Sequence, residues 1–440
     1  MPGGTRRHAR VERPVRRLVV PVVAGLLVVA AAVAGLTVGA GPFDGGMPPP
    51  DGGSTAGPST PASPSPPASP SPSPTPTAEV ATLTIMSAGD ILPHTSVNEA
   101  AEVPGGGWNF VPLMSAVEEW TSGADLALCN LEVPLAPPDE EVTAYPVFGA
   151  PEELVPNLAE LGWDGCTLAT NHSMDRGIEG LEHTLDVFDE HGMGHVGTAR
   201  TQQEAQQPQL YRLERGGQEI VVAHLAATTL DNGLSAPADK PWAVTKVDTD
   251  TLTEQARAAR EAGADLVVAS IHWGTEYVHE PIEEQLEIAD ALAAGGQIDL
   301  IFGNHSHTPQ PLEELPGGPR GDGMWVAWSM GNFISNQDDR CCTMETGTGV
   351  MVTATVEAPV DAPARVSGLE WTPVTVDRVG GQKIYPLEDL VAGDRPAGLA
   401  LDDATLARRD ARVTEVMGTE RERLEAPEPT GPEPEVVPRE

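Results

Sequence analysis

An α/β fold is predicted by three features of the sequence. From about Thr82 to about Asp389, short apolar runs alternate with amphipathic stretches. The runs ATLTIMSA, ADLALCNL, GCTLAT, EIVVAHLA, ADLVVASIHW and IDLIFGN are almost continuously apolar, as expected of strands covered on both faces. Short polar clusters stand just past runs of this kind, at the strand ends where open α/β sheets place their ligands.

The chain has 440 residues, and its parts differ in kind. Residues 1–17 carry six Arg and no Lys, and residues 18–40 are apolar and uncharged. About 20 such residues span a bilayer, and the preceding Arg cluster favours a cytoplasmic N-terminus. The segment reads as a single-pass transmembrane signal anchor, with a cleaved signal peptide as the alternative. Residues 41–80 are rich in Pro, Ser and Thr. They read as a disordered, extended linker that holds an extracytoplasmic domain, residues 81–390, away from the cell membrane. Within that domain GIEGLEHTLDVFDEHG, TLTEQARAAREAG and EEQLEIADALAAGG read as helices, and Leu181, Leu185 and Phe188 share one face of the first. After Met324 the pattern is mostly strands, which suggests an antiparallel second half. Residues 391–440 read as an acidic helix followed by a disordered Pro/Glu-rich tail.

The formal charge is -39 and the only lysines are Lys240, Lys246 and Lys383. So acidic a body repels nucleic acid, which excludes that partner class. Cys129 and Cys166 each lie inside an expected strand. They are either neighbours or separate buried small hydrophobes, and the second is the simpler reading. Cys341 and Cys342 sit together in a polar loop.

The polar clusters supply metal-binding side chains. Asp90 follows Gly89 at the end of the first run, and His94 points toward the same rim. Asn130 and Glu132 stand two apart and so share a strand face; a buried Glu there needs a partner, often a cation. Asn171 can offer its amide oxygen to a metal, while the adjacent His172 points elsewhere and can act as a general acid. Asp175 caps the following helix or joins the site, and Arg176 can bind an anionic group. His272 ends a strong strand, with Glu276 and Tyr277 in the same loop. His305 and His307 stand two apart straight after another strand, and imidazole is the commonest metal donor. Asn332 closes the series in Ser329-Met330-Gly331-Asn332-Phe333. One Asp, one Glu, one Asn and three His suffice for one or two divalent ions. Nitrogen and oxygen donors without thiolate suit Mn, Zn or Fe.

The order Gly-Asp…His, Asn-Leu-Glu, Asn-His-x-x-Asp-x-Gly, His-Trp-Gly-x-Glu-Tyr, Gly-x-His-x-His, Ser-x-Gly-Asn-Phe resembles the CapA family, linked to poly-γ-glutamate capsule synthesis. The likeness runs from about Thr82 to Phe333. That family looks like a divergent branch of the calcineurin-like metallophosphoesterases, so the resemblance implies a four-layer α/β/β/α sandwich. It implies that Asp90, Glu132, Asn171, His272, His305 and His307 hold metal and that His172, with Asp175, is catalytic. His94, Arg176, Glu276 and Asn332 are then expected to meet substrate. Two departures stand out: Glu132 replaces a bridging Asp, and Leu92 stands where the phosphoesterases have a His. The function implied is synthesis, export or anchoring of an extracellular polymer, together with the machinery that makes it. A cell-surface metallophosphoesterase and a non-catalytic scaffold are the alternatives.

Overall fold

The structure, a computed structural model, describes residues 80–439. The basic segment over 1–17, the membrane helix expected over 18–40 and the linker expected over 41–80, its last residue apart, lie outside the described residues. Among the described residues no helix is long and apolar enough to cross a membrane.

The strands are β1 (Ala81–Ile91), β2 (Leu126–Leu131), β3 (Gly165–Thr167), β4 (Gly194–Val196), β5 (Gln209–Arg215), β6 (Gln218–Thr228), β7 (Leu266–His272) and β8 (Leu300–Asn304). They continue as β9 (Pro309–Leu315), β10 (Met324–Met330), β11 (Asn332–Ile334), β12 (Thr348–Ala358), β13 (Arg365–Asp377), β14 (Lys383–Pro386) and β15 (Glu435–Val437). One sheet has the order β14-β13-β12-β1-β2-β3-β4, with β11 paired to the end of β1. Its β1 to β4 run parallel, and β12 to β14 are antiparallel. The other has the order β15-β5-β6-β7-β8-β10-β9, parallel from β6 through β10 and antiparallel at both edges.

The period of two along each strand sorts the side chains into layers. Leu83, Ile85, Leu126 and Leu128 of the first sheet meet Val222, Val268, Leu300 and Phe302 of the second in one buried cluster. The alternate residues Met86, Ala88, Ala127 and Cys129 face outward and pack with Leu154, Leu158, Leu181 and Leu185, on helices Leu154–Glu160 and Gly177–Glu190. Val267, Ala269 and Ile301 face the other way, onto Leu252, Ala289 and Leu292 of helices Thr249–Glu261 and Glu283–Gly295. The result is helix, sheet, sheet, helix. Burying each of these Leu, Val and Ile side chains stabilises the fold by about 1.5–3 kcal/mol.

The inward stripe changes character along each parallel strand. On β2 it reads Leu126, Leu128, Asn130. On β7 it reads Leu266, Val268, Ser270, His272, and on β8 Leu300, Phe302, Asn304. The C-terminal ends of both sheets therefore present polar groups to the space between them. Asn304 ties the two rims together by donating to the Ala88 carbonyl (3.4 Å). The N-terminal ends are built differently. Asp125, Asp164, Asp265 and Asp299 each precede a strand by one residue. Each accepts the N–H of Thr84, Ala127, Val221 or Val267, respectively, on or beside the neighbouring strand, at 2.7–2.8 Å.

Two expectations are corrected here. Cys129 and Cys166 are not separate hydrophobes: they stand opposite one another on the paired strands β2 and β3 and form a disulfide. The tail expected to be disordered is tied to the domain. The Thr430 N–H donates to Asp125 (2.7 Å), β15 adds to the free edge of β5, and Arg439 donates to the His195 carbonyl (2.6 Å). An edge strand gives a proline-rich segment a partner that asks only some of its N–H groups to bond. Helix Asp403–Met417 likewise sends Leu406 and Val413 into the cluster between the sheets, so the folded body extends past residue 390.

Candidate metal centre

Each polar side chain reaches the rim for a local reason. On period two alone, Asp90 would face outward with Met86 and Ala88. An extra residue in β1 between Ser87 and Asp90, relative to β2, reverses that parity and sets Asp90 opposite Asn130. Gly89 makes the bulge possible, because a Cβ there would lie 2.4 Å from the Gly331 carbonyl oxygen. His305 and His307 occupy positive φ, +95° and +55°, where side chains other than glycine are uncommon. The Ser306 hydroxyl holds that loop through Ser329 Oγ (2.8 Å). Local strain of this kind persists only where surrounding contacts fix it, often at functional sites.

These elements gather the six expected metal-binding side chains. Asp90 Oδ1 accepts from Asn130 Nδ2 (2.7 Å), and Asp90 Oδ2 lies 3.0 Å from His307 Nδ1. Glu132 Oε1 stands 3.8 Å from His307 Nε2 and 3.7 Å from His272 Nε2. His272 Nε2 also meets Asn171 Oδ1 (2.9 Å), and the His272 and His305 rings lie 4.9 Å apart. Asp90, Glu132 and His307 form one group of donors within 4.8 Å, and Glu132, His272 and His305 form another. Glu132 belongs to both.

The residues fit a divalent cation. Glu132 is fully buried and neither carboxylate oxygen has a hydrogen-bond donor; Asn130 Oδ1, His272 Nδ1 and His305 Nδ1 are also buried without partners. A carboxylate so placed is costly unless a positive charge meets it. Burial pushes the Glu132 carboxyl well above the usual range, with nearby His307 opposing and Asp90 adding to the rise. Burial alone would lower His307, but Glu132 and Asp90 outweigh it and raise the imidazole to about 10. Burial drives His272 well below its ordinary value and His305 to about 3, with neighbouring imidazoles contributing. Neutral imidazole is the form that donates to a metal.

Beside this group stands a second arrangement. His172 Nδ1 donates to Asp175 Oδ2 (2.8 Å), and the same oxygen accepts the Phe148 N–H (2.7 Å). Asp175 thus fixes the ring orientation and leaves His172 Nε2 as the working nitrogen. His172 is near enough for its charge to lower His272 and His305.

Residues 84–337 match the model of a family described as bacterial capsule synthesis protein PGA_cap. The matched stretch is more than half of the chain and holds all six of the gathered side chains. The chain belongs to this family. Similar curated proteins include the PGA biosynthesis protein CapA of Bacillus subtilis (strain 168), 29% identical over 187 residues, 42% of this chain and 46% of the relative. The capsule biosynthesis protein CapA of Bacillus anthracis is 28% identical over 263 residues, 58% of this chain and 60% of the relative. The chain thus spans roughly half the length of these relatives. Among solved structures, Haemophilus influenzae NAD nucleotidase aligns with a TM-score of 0.42 at 16% identity, over 77% of this chain and 67% of that one. The calcineurin-like phosphoesterase YfkN of Bacillus subtilis aligns with a TM-score of 0.41 at 14% identity, over 77% and 98%.

In this PGA_cap member the four residues expected to meet substrate divide. Glu276 is exposed and close enough to act electrostatically on Glu132 and His307. His94 is buried, donates from Nδ1 to the Leu92 carbonyl (2.9 Å) and leans edge-on against Phe148, whose ring also meets His172. Burial lowers His94 to about 4. Arg176 is committed elsewhere. It donates to the carbonyls of Phe148 (3.1 Å) and Glu141 (2.9 Å), pairs with Glu140 (2.8 Å) and bonds Thr143 Oγ1. It pins the 140–149 loop, and each of its guanidinium nitrogens already has a partner there. Asn332 is also internal: its Oδ1 accepts from His307 Nδ1 (3.0 Å) while Nδ2 donates to Gln337 and Thr346. It orients the His307 ring. Sequence reasoning missed Asn232, whose Nδ2 donates to His172 Nε2 (3.3 Å) from a turn at φ +46°. The Asp231-Asn232-Gly233 turn signal is present in the sequence, but nothing local ties it to a residue sixty positions earlier.

Proposed function

We propose that this PGA_cap member is a membrane-anchored, extracytoplasmic protein acting in the synthesis, export or anchoring of a capsule-type extracellular polymer, and that its rim is a metal-dependent hydrolytic site. The observation that carries the hydrolytic reading is Glu132, buried, without a donor, and shared by two groups of metal-binding side chains. Asp90, Glu132, Asn171, His272, His305 and His307 would hold one or two divalent ions. Such ions supply Lewis acidity and lower the pKa of water.

The chain's own residues supply the rest. Asp175 holds the His172 ring from Nδ1, so a proton carried on Nε2 is aimed into the site for a leaving oxygen, and Asp175 steadies the imidazolium before transfer. Asn232 keeps Nε2 oriented between events. Phe148 meets both His94 and His172 edge to face and helps hold their rings in place. This dyad favours chemistry over a purely structural role. The names of the relatives support the polymer reading, and the basic, apolar and proline-rich N-terminal sequence supports the tether. The -39 charge disfavours tight binding of a free polyanion, so a short segment or a chain end is the better substrate.

The test is hydrolysis of an aryl phosphate by the purified protein with added Mn(II), against His172→Ala. Metal-dependent turnover that the substitution removes supports the reading. Turnover unchanged by His172→Ala, or none with any divalent ion, refutes the hydrolytic half.

A further inference from the structure

The loop after β11 carries Cys341, exposed, and Cys342, half-buried, as free thiols. Consecutive side chains of an extended chain point to opposite sides. Here they converge, with the sulfurs 2.7 Å apart. The turn that aims them is built on Asp338, whose carbonyl accepts the N–H of Cys341 (3.2 Å) and of Cys342 (3.0 Å). The Asp338 carboxylate fastens the turn to the Arg340 N–H (3.0 Å) and to Arg378 (2.7 Å). From the pair a short path leads to the metal centre. Cys342 lies close enough to the Tyr277 hydroxyl for the two groups to act on one another electrostatically. The Tyr277 N–H donates to the Ser306 carbonyl (2.7 Å), and the Tyr277 ring lies 6.3 Å from that of His307. Tyr277 sits at φ +65°, a conformation an aromatic residue keeps only when its contacts impose it.

We propose that Cys341 and Cys342 form a dithiol redox site whose closure to a disulfide releases Tyr277 and loosens the loop bearing His305 and His307. The effect on metal rests on the metal-centre reading above; the thiol chemistry does not. The reaction is exchange with a small-molecule disulfide, RSSR. Burial and the adjacent Cys341 raise the half-buried Cys342 thiol to about 11, so the exposed Cys341 makes the first attack. A Cys341–SR bond forms, the S–S bond of RSSR breaks, and the departing RS group takes up the Cys341 proton and leaves as one RSH. Cys342 then displaces the second RS group and gives up its own proton, which leaves as RSH. Two thiols and RSSR become one disulfide and two RSH, and two electrons pass from the protein to RSSR. A disulfide between neighbours is strained and here exposed, the readily reversed kind, unlike the buried Cys129–Cys166 bridge. Its formation removes the thiol that stands beside the Tyr277 hydroxyl.

The test equilibrates the metal-loaded full-length protein in glutathione buffers of graded potential. Peptide masses, amide hydrogen exchange over 273–278 and 304–308, and Mn(II) affinity are then read. Oxidised wild type is expected to lose two hydrogens at 341–342, to exchange faster over both segments and to bind Mn(II) about tenfold more weakly or worse. Cys342→Ser is expected to stop at a glutathione adduct on Cys341, and the double Ser variant to show no redox response. A wild type that keeps a stable glutathione adduct, or that closes without changing exchange in either segment, overturns the proposal. Faster exchange in a protein that binds no Mn(II) in either state would uphold the redox device and refute the metal reading instead.

Discussion

The two ends of the sandwich carry the same kind of side chain in opposite circumstances. At the N-terminal ends of the parallel strands, Asp125 accepts from the Thr84 N–H, Arg215 Nε and the Thr430 N–H (2.8, 2.9 and 2.7 Å). Asp299 takes the Val267 N–H and Arg320 (2.8 and 3.0 Å) and pairs with Arg260. These carboxylates staple strand to strand. At the C-terminal ends Glu132 is equally buried but has no donor at all, and the loop beside it is held at positive φ. A buried acid whose partners are backbone N–H groups and Arg belongs to the architecture. One surrounded by imidazoles and lacking donors belongs to a site whose chemistry suits a cation.

Substitutions at the two ends should therefore fail in different ways. The largest effect is expected from Asp125→Ala, which leaves Arg215 buried without its partner (2% exposed at the side chain). Chemical denaturation should show a loss of about 3–5 kcal/mol, with metal binding by the surviving folded fraction unchanged. His172→Ala should do the reverse, lowering turnover by about 10²–10⁴-fold while the denaturation midpoint stays in place. A pH series sharpens the contrast at the structural end. Burial raises Asp164 to about 7, against the single N–H of Ala127, while the unfolded chain loses that proton near pH ~4. Between those values the native state holds more protons, so stability falls as pH rises from about 4 to about 7, by up to roughly 4 kcal/mol. Asp164→Asn should flatten that slope. The smallest effect is expected from Asn332→Ala, which leaves Asp90 as the remaining partner of His307 Nδ1 and should weaken metal binding by about tenfold, with a stability loss of about 1–3 kcal/mol from its bonds to Gln337 and Thr346.

Much of this was legible in the sequence because period-two patterning and strand-end chemistry are local signals. The near-continuous apolar runs correspond to β1, β2, β3, β6, β7 and β8, and residues just past them gather at one rim. What a local signal lacks is partner choice. Arg176 and Asn332 read as substrate contacts because their neighbours are site residues, yet their hydrogen bonds go to the 140–149 loop and to His307. The register that sets Cys129 against Cys166 depends on how two strands are offset. The tail reads as disordered because it cannot form a core alone; its order comes from the edge of β5 and from Asp125. Asp125, Asp164, Asp265 and Asp299 look like polar punctuation before strands, and only the sheet shows what they staple.

The most direct measurement is calorimetric titration of metal-stripped protein with Mn(II), Zn(II) and Fe(II), run beside Glu132→Gln. Wild type should take up one or two equivalents. Glu132→Gln should bind about 100-fold more weakly or worse at every site, since one carboxylate serves both groups, while the metal-free fold loses no stability. A wild type that binds none of these ions, or a Glu132→Gln protein that binds them as tightly, would contradict the shared-carboxylate centre.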